Sequence, residues 1–395
     1  MTAVAEQPLT LQGIASPNVV VDPNRFYPAT RKLTYPMQSQ KAITGLGSSD
    51  SVELRKTGIV AGLLVRVTGQ LQFGGTITGT SMTYRFPYNL VKACRVSANG
   101  QSNLINCTGQ QLKAFEFAGN TDLSDRGVLR SVGATTHNQG TLSKACENWG
   151  QVSTNIVGPG VTVPATGNYD VELDWFIPLA ADQTSLIGAI FAQTAATNLT
   201  LEIDWESQAN LLSLGGSATF AHTLQWQVQG VVYSIPVVDG KAVVPDLSQF
   251  HQIAGFRTSA LAQNDNEILL PGTGVGRKLM RVIGSISTGT APGTPLAVTP
   301  ANYNTMAWRY GGNDTPEAFA SGQQVRSRNE QQWGCDFGRF WGLWGWDFVS
   351  EFAVRDIVDE GSVSDLRLVV GLVNAPTTPF AEVAQETLFA APVGA

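Results

Sequence analysis

Residues 169–205, YDVELDWFIPLAADQTSLIGAIFAQTAATNLTLEIDW, decide the fold class. In 169–175, Val171, Leu173 and Trp175 fall on one side of an extended chain, and Asp170, Glu172 and Asp174 on the other. In 199–206, Leu199, Leu201, Ile203 and Trp205 alternate in the same way with Thr200, Glu202, Asp204 and Glu206. A period of two means strands with one buried and one polar face. Between them, 182–194 (DQTSLIGAIFAQT) predicts a short helix. Asp182 or Thr184 would cap it, and Leu186, Ile187, Ile190 and Phe191 would form its apolar stripe.

The same order returns further along. A strand is predicted over 339–349, then a helix over 350–359 with Phe352, Ile357 and Val358 as its apolar positions, then Gly361, then a strand over 365–373. Strand, helix and strand thus recur at an offset of about 170 residues, which points to two domains of one architecture. Upstream, Val65, Val67, Gly69 and Leu71 alternate with Leu64, Arg66, Thr68, Gln70 and Gln72, and Gly74-Gly75 closes that run. Residues 207–221 read as a Gly/Ser/Ala-rich linker, and an alternating strand at 223–235 reads as the opening of the second domain. A further helix is predicted over 315–332, with Asp314 as N-cap and Pro316 near its start. Residues 1–37 read as an arm whose recurring prolines prevent a long helix, and 374–395 as a weakly patterned tail. Many short alternating strands and few helices predict an all-β chain, with jelly rolls in tandem as the arrangement that limits exposed edges.

The chain has 395 residues, 43% of them apolar and 9% aromatic, enough for a large core and unlike a disordered segment. Charged residues make up only 14%, against about 25% in an average globular chain. With 25 Lys+Arg and 31 Asp+Glu the net charge is −6, which argues against a basic surface for nucleic acid. The longest strongly apolar stretch, 58–65, is about eight residues, and a spanning helix needs roughly 20. The first residues lack the basic region of a signal peptide, so a soluble protein made in the cytoplasm is expected. Cys94, Cys107, Cys146 and Cys335 have no CxxC spacing and are expected to be reduced, small and mostly buried. The N-x-[ST] matches at Asn106, Asn198 and Asn313 mean nothing without secretion.

Candidate chemistry is sparse. The acidic rows Asp170/Glu172/Asp174 and Glu202/Asp204/Glu206 have carboxylates roughly 7 Å apart, a pattern open to calcium or to glycosidase acid–base work. Two separate rows suit a solvated face or a subunit contact better than one focused site. Residues 272–278 (GTGVGRK) have GxGxG spacing, not that of a phosphate or dinucleotide loop, and read as a turn before a strand at 278–287. His137, His222 and His251 lie in no catalytic motif. Trp333, Trp341, Trp344 and Trp346 would stack sugars or bases if exposed, and fill a core if not. Arg326, Arg328 and Arg339 form a weak basic cluster offset by Glu330 and Asp336. No catalytic, cofactor or metal site is assigned, and no enzyme is expected.

The sequence resembles the double jelly-roll major capsid proteins of tectivirus-type phages, which are tailless, membrane-containing, double-stranded DNA bacteriophages. The residues that carry the resemblance are 57–71 (TGIVAGLLVRVTGQL), 86–101 (FPYNLVKACRVSANGQ), 109–121 (GQQLKAFEFAGNT) and 169–205, with looser matches at 244–256 and 302–338. The resemblance implies two tandem eight-stranded jelly rolls with short helices in the inter-strand loops. The chain is expected to divide into an arm 1–37, a first roll 38–206, a linker 207–221, a second roll 222–378 and a tail 379–395. The resemblance further implies a homotrimer with a pseudo-hexameric outline, tiling an icosahedral virion shell around an internal membrane and a double-stranded DNA genome. The implied partners are other copies of the chain, vertex and minor capsid proteins, and the membrane through the N-terminal arm, with no direct nucleic-acid contact. Two rival readings are a carbohydrate-binding or carbohydrate-active β-sandwich using the acidic rows or the tryptophans, and a minor capsid or spike protein.

Overall fold

A computed structural model describes residues 10–11, 14–15, 18–119, 150–152, 162–193, 197–259, 264–271, 276–289, 293–310, 314–333, 338, 341–349, 357–359, 365–374 and 376–390. The first roll is built from β1 (Lys32–Ala42), β2 (Ser49–Glu53), β3 (Ile59–Gly74), β4 (Val91–Ala98), β5 (Gln101–Cys107), β6 (Gly167–Pro178), β7 (Leu199–Trp205) and β8 (Gln225–Tyr233). The second is built from β9 (Gln249–Ser259), β10 (Asn264–Leu269), β11 (Lys278–Thr288), β12 (Tyr303–Tyr310), β13 (Asp314–Phe319), β14 (Leu343–Asp347), β15 (Leu366–Leu372) and β16 (Phe380–Ala390).

Both rolls share one strand order. The sheets of the first run β1-β8-β3-β6 and β2-β7-β4-β5; those of the second run β9-β16-β11-β14 and β10-β15-β12-β13. Counted within its own roll, each pair of sheets reads 1-8-3-6 and 2-7-4-5, the jelly-roll order. Each roll also carries a helix between its fifth and sixth strands, α2 (Gly109–Gly119) and α3 (Gly322–Trp333), counting the short Pro23–Ala29 helix as α1. The recurring unit seen in sequence is the sixth and seventh strands of each roll, β6–β7 and β14–β15.

Local chemistry explains these elements. Along β3 the residues are buried on both faces from Ile59 to Leu63, and alternate from there on. Thr108 and Gln111 start α2 as a capping box: the Thr108 hydroxyl accepts from the Gln111 N–H at 3.2 Å, and the Gln111 side chain accepts from the Thr108 N–H at 3.0 Å. On α3, the buried Asn329 amide bonds both backbone groups of Gly345, at 2.8 and 3.0 Å, and so pins the helix to β14.

The structure corrects several expectations. Residues 182–191 form a turn and not a helix. The Asp182 carboxylate accepts the N–H groups of Thr184 and Ser185 at 2.9 and 2.8 Å, but Leu186 (φ +58°) and Gly188 (φ +86°) leave the right-handed region. Ile190–Phe191 then pairs with β3, which buries the apolar residues that suggested a stripe. Residues 314–319 are β13 and not a helix start; Pro316 is tolerated because β13 lies at a sheet edge. The expected helix at 350–359 lies outside the described residues up to 356, and Val358–Asp359 is extended and pairs with β11. The strand read at 339–349 is shorter, Leu343–Asp347.

The outer boundaries move as well. The strand at 223–235 opens no second roll: β8 lies between β1 and β3 and completes the first. The linker residues are held down, with one helical turn at Gln208–Leu211 and Thr219–His222 paired to β3. The expected tail holds β16, paired on both sides by β9 and β11. The arm becomes β1 at Lys32; before it, Val19–Val21 pairs in parallel with Lys241–Val244, and α1 buries Phe26 against Ile59, Leu186 and Val244.

β5 and β9 pair in parallel, so the second sheet of the first roll and the first sheet of the second form one continuous sheet. One apolar core runs through the junction, where Leu112, Phe115 and Trp175 cluster with Phe250, Ile283, Trp333, Trp341 and Leu343. The Tyr88 and Trp341 rings meet edge to face at 5.2 Å across it.

Candidate assembly surfaces

The two acidic rows lie on different sheets of the first roll, and each is matched by an arginine on the adjacent strand. Arg66 stands opposite Asp174 in register and bonds it at 2.9 Å, with Glu172 at 3.7 Å; Gln70 donates to Asp170 at 2.8 Å. Arg95 stands opposite Glu202, reaches it at 3.8 Å and bonds Asp204 at 2.6 Å. Glu206 leaves the row, is buried, and accepts from the Ser207 N–H and the Asn210 amide. These are cross-strand charge pairs on half-exposed faces, each worth about 0.2–1 kcal/mol. Among the described residues no group of three or more His, Cys, Asp or Glu is placed to hold a metal ion.

The tryptophans are interior. Trp333, Trp341, Trp344 and Trp346 are all 2% exposed or less, so none offers a stacking face. Arg328 is paired with Glu317 and lies over the Phe319 ring. Cys94 and Cys107 are free, buried and opposite one another in β4 and β5; burial pushes the Cys94 thiol up to about 12. His222 is half-buried and accepts from the Leu224 N–H at 3.4 Å. His137, Cys146, Cys335, Asp336, Arg339, Asn313 and 272–275 lie outside the described residues.

Sequence reading missed a buried polar row across β9, β16, β11 and β14. His251 Nε2 lies 2.8 Å from Glu386 Oε1, and its Nδ1 lies 3.0 Å from the Pro178 carbonyl oxygen of the first roll. Arg281 donates to Glu386 at 2.7 Å and reaches Asp347 at 3.1 Å. Burial drives the Glu386 carboxyl upward, but the Arg281 charge and the His251 contact outweigh it and hold it at about 2. Burial dominates at Asp347 and raises it, against the pull of Arg281. A second link joins the rolls: Arg85 pairs with Glu382 and donates to the Ser287 hydroxyl at 2.6 Å. The outer face of the second roll carries another charge network, where Arg309 and Arg367 share Glu267, and Arg367 also bonds Asp365.

Two jelly rolls of identical strand order, joined edge to edge through one sheet, define a double jelly-roll fold. Residues 36–221 match the family model described as P3 major capsid protein N-terminal. A crystal structure of the STIV MCP is similar over 91% of this chain and 97% of that one, with a TM-score of 0.62 and 15% identity. The Faustovirus major capsid protein is similar over 91% and 89%, with a TM-score of 0.54 and 9% identity. A chain of the PBCV-1 virus capsid is similar over 92% and 95%, with a TM-score of 0.51 and 12% identity. No curated protein sequence matches the chain.

Proposed function

We propose that this chain is the major capsid protein of a tectivirus-type bacteriophage, assembling as a homotrimer with a pseudo-hexameric outline. The repeated 1-8-3-6 and 2-7-4-5 strand order supports this reading. Three chains with two like rolls each present six near-equivalent sides, and such a block packs hexagonally into an icosahedral shell. On this reading the shell encloses an internal membrane and a double-stranded DNA genome. The chain is made in the host cytoplasm, resides in the virion, and performs no catalysis. Its partners are its own copies, neighbouring trimers, and vertex and minor capsid proteins. The N-terminal arm, residues 1–37, would approach the membrane, and no part of the chain contacts DNA directly.

The carbohydrate reading loses its residues, because the tryptophans are interior and the acidic rows are met by Arg66 and Arg95. Sedimentation of the purified chain at micromolar concentration tests the proposal. A stable trimer that forms hexagonal arrays in negative stain is expected. A monomer without arrays would overturn it.

A further inference from the structure

The continuous sheet has a notch where the rolls meet. β5 and β9 pair only at Ile105 with Ile253 and at Asn106 with Ala254. Beyond that point the chain after β5 turns into α2, whereas β9 continues along β16 as far as Ser259. From Gly255 onward β9 has no strand partner on its other side among the described residues. A cavity of about 170 Å³ opens there, with Lys92, Asn106, Thr108, Gln111, Arg257 and Glu382 in its lining. Gly255 in its lining leaves no room for a side chain: a Cβ there would come within 2.9 Å of the Gln111 side-chain oxygen and 3.1 Å of the Asn106 carbonyl oxygen.

Two cations stand at this free edge. Lys92 is exposed on β4, where the pairing with β7 slips between Asp204 and Trp205. Arg257 is exposed, and its guanidinium lies 3.6 Å from the centre of the Phe380 ring, which holds the head in place. Neither forms an ion pair with a described residue, since the carboxylates nearby are taken: Asp204 by Arg95 and Glu382 by Arg85. An unpaired strand edge is a template for another extended chain. Flanked by two unpaired cations in a chain of net charge −6, this edge selects against basic segments and for acidic ones.

We propose that the notch takes an extended acidic segment of a partner protein, which adds as a strand to the free edge of β9 and sets carboxylates against Lys92 and Arg257. This stands whether or not the chain is a trimer. The test is fluorescence anisotropy of the full chain with a short labelled peptide of alternating threonine and glutamate, acetylated and amidated at its ends. Saturable binding is expected. Replacing glutamate by glutamine in the peptide, or making Lys92→Glu or Arg257→Gln in the protein, weakens it roughly tenfold or more, the scale of one lost charge-assisted bond. Methylating alternate peptide amides weakens it as much, because an added strand needs those donors. Circular dichroism confirms that the variants are folded. Lys92→Gln, an exposed change, serves as the test if Arg257→Gln disturbs the Phe380 contact. Equal binding of the glutamine peptide, wild-type binding by the Lys92 variants, indifference to amide methylation, or no saturation at millimolar peptide would each overturn the proposal.

Discussion

Glu386 stands 135 residues from His251 and 105 from Arg281, yet it bonds both in the interior of the sheet. Single-sequence patterning places residues on faces of their own strand; it carries no term for which strand lies alongside, so this row was not legible. The acidic rows were, because three polar positions in one alternating strand mark a face without help from neighbours. The energetic consequence falls on Glu386. Its ordinary value of 4.5 is lowered to about 2, so the stability it contributes is complete above about pH 4.5 and is lost as the pH falls towards 2. Asp347, raised by burial, acts in the opposite sense and reduces the net slope. We predict that Glu386→Gln costs about 3–5 kcal/mol at neutral pH, because it leaves Arg281 and His251 facing a neutral amide. Denaturant unfolding from pH 7 down to about pH 2 checks this. The variant should also lose less stability than the parent between about pH 5 and pH 2, and equal acid slopes would contradict it.

Elements divide into those whose signal is local and those whose signal is not. β6 and β7 were legible to within a few residues because each buries one face only. β16 was read as a tail because Phe380, Ala381, Val383 and Ala384 share the interior with buried Gln385, Glu386 and Thr387, so no alternation survives. β8 was recognised as a strand but assigned to the wrong roll, since its partners β1 and β3 lie far upstream. The turn at 182–191 mimics a helix: an Asp cap and apolar residues at short spacing serve equally well to fold a corner over the second roll. Gly188 is the residue that makes the corner. At φ +86°, an added Cβ would lie 2.6 Å from the His251 Cβ. Gly188→Ala should therefore cost about 2–4 kcal/mol, from left-handed backbone strain and overpacking together, read as a lowered melting temperature. An unchanged melting temperature would show that the corner relaxes freely.

At the scale of the molecule, the tandem-roll plan was legible from a repeated strand-to-strand spacing, but not the sheet that joins the halves, which depends on a parallel contact between β5 and β9. Because Trp341, Trp333 and Ile283 share one core with Tyr88 and Trp175, neither roll keeps its interior dry without the other. Calorimetry of the purified chain should show one transition with equal calorimetric and van't Hoff enthalpies. Two resolved transitions would mean that the rolls are independent. Within this unit the rungs are unevenly spread. Among the described residues only Ile105–Ile253 and Asn106–Ala254 bridge the halves by strand pairing, whereas β9 and β16 are joined from Gln249 to Ser259. Flexed along its length, the slab creases first at that narrow joint, and the indole rings packed behind it act as the spring that restores its shape.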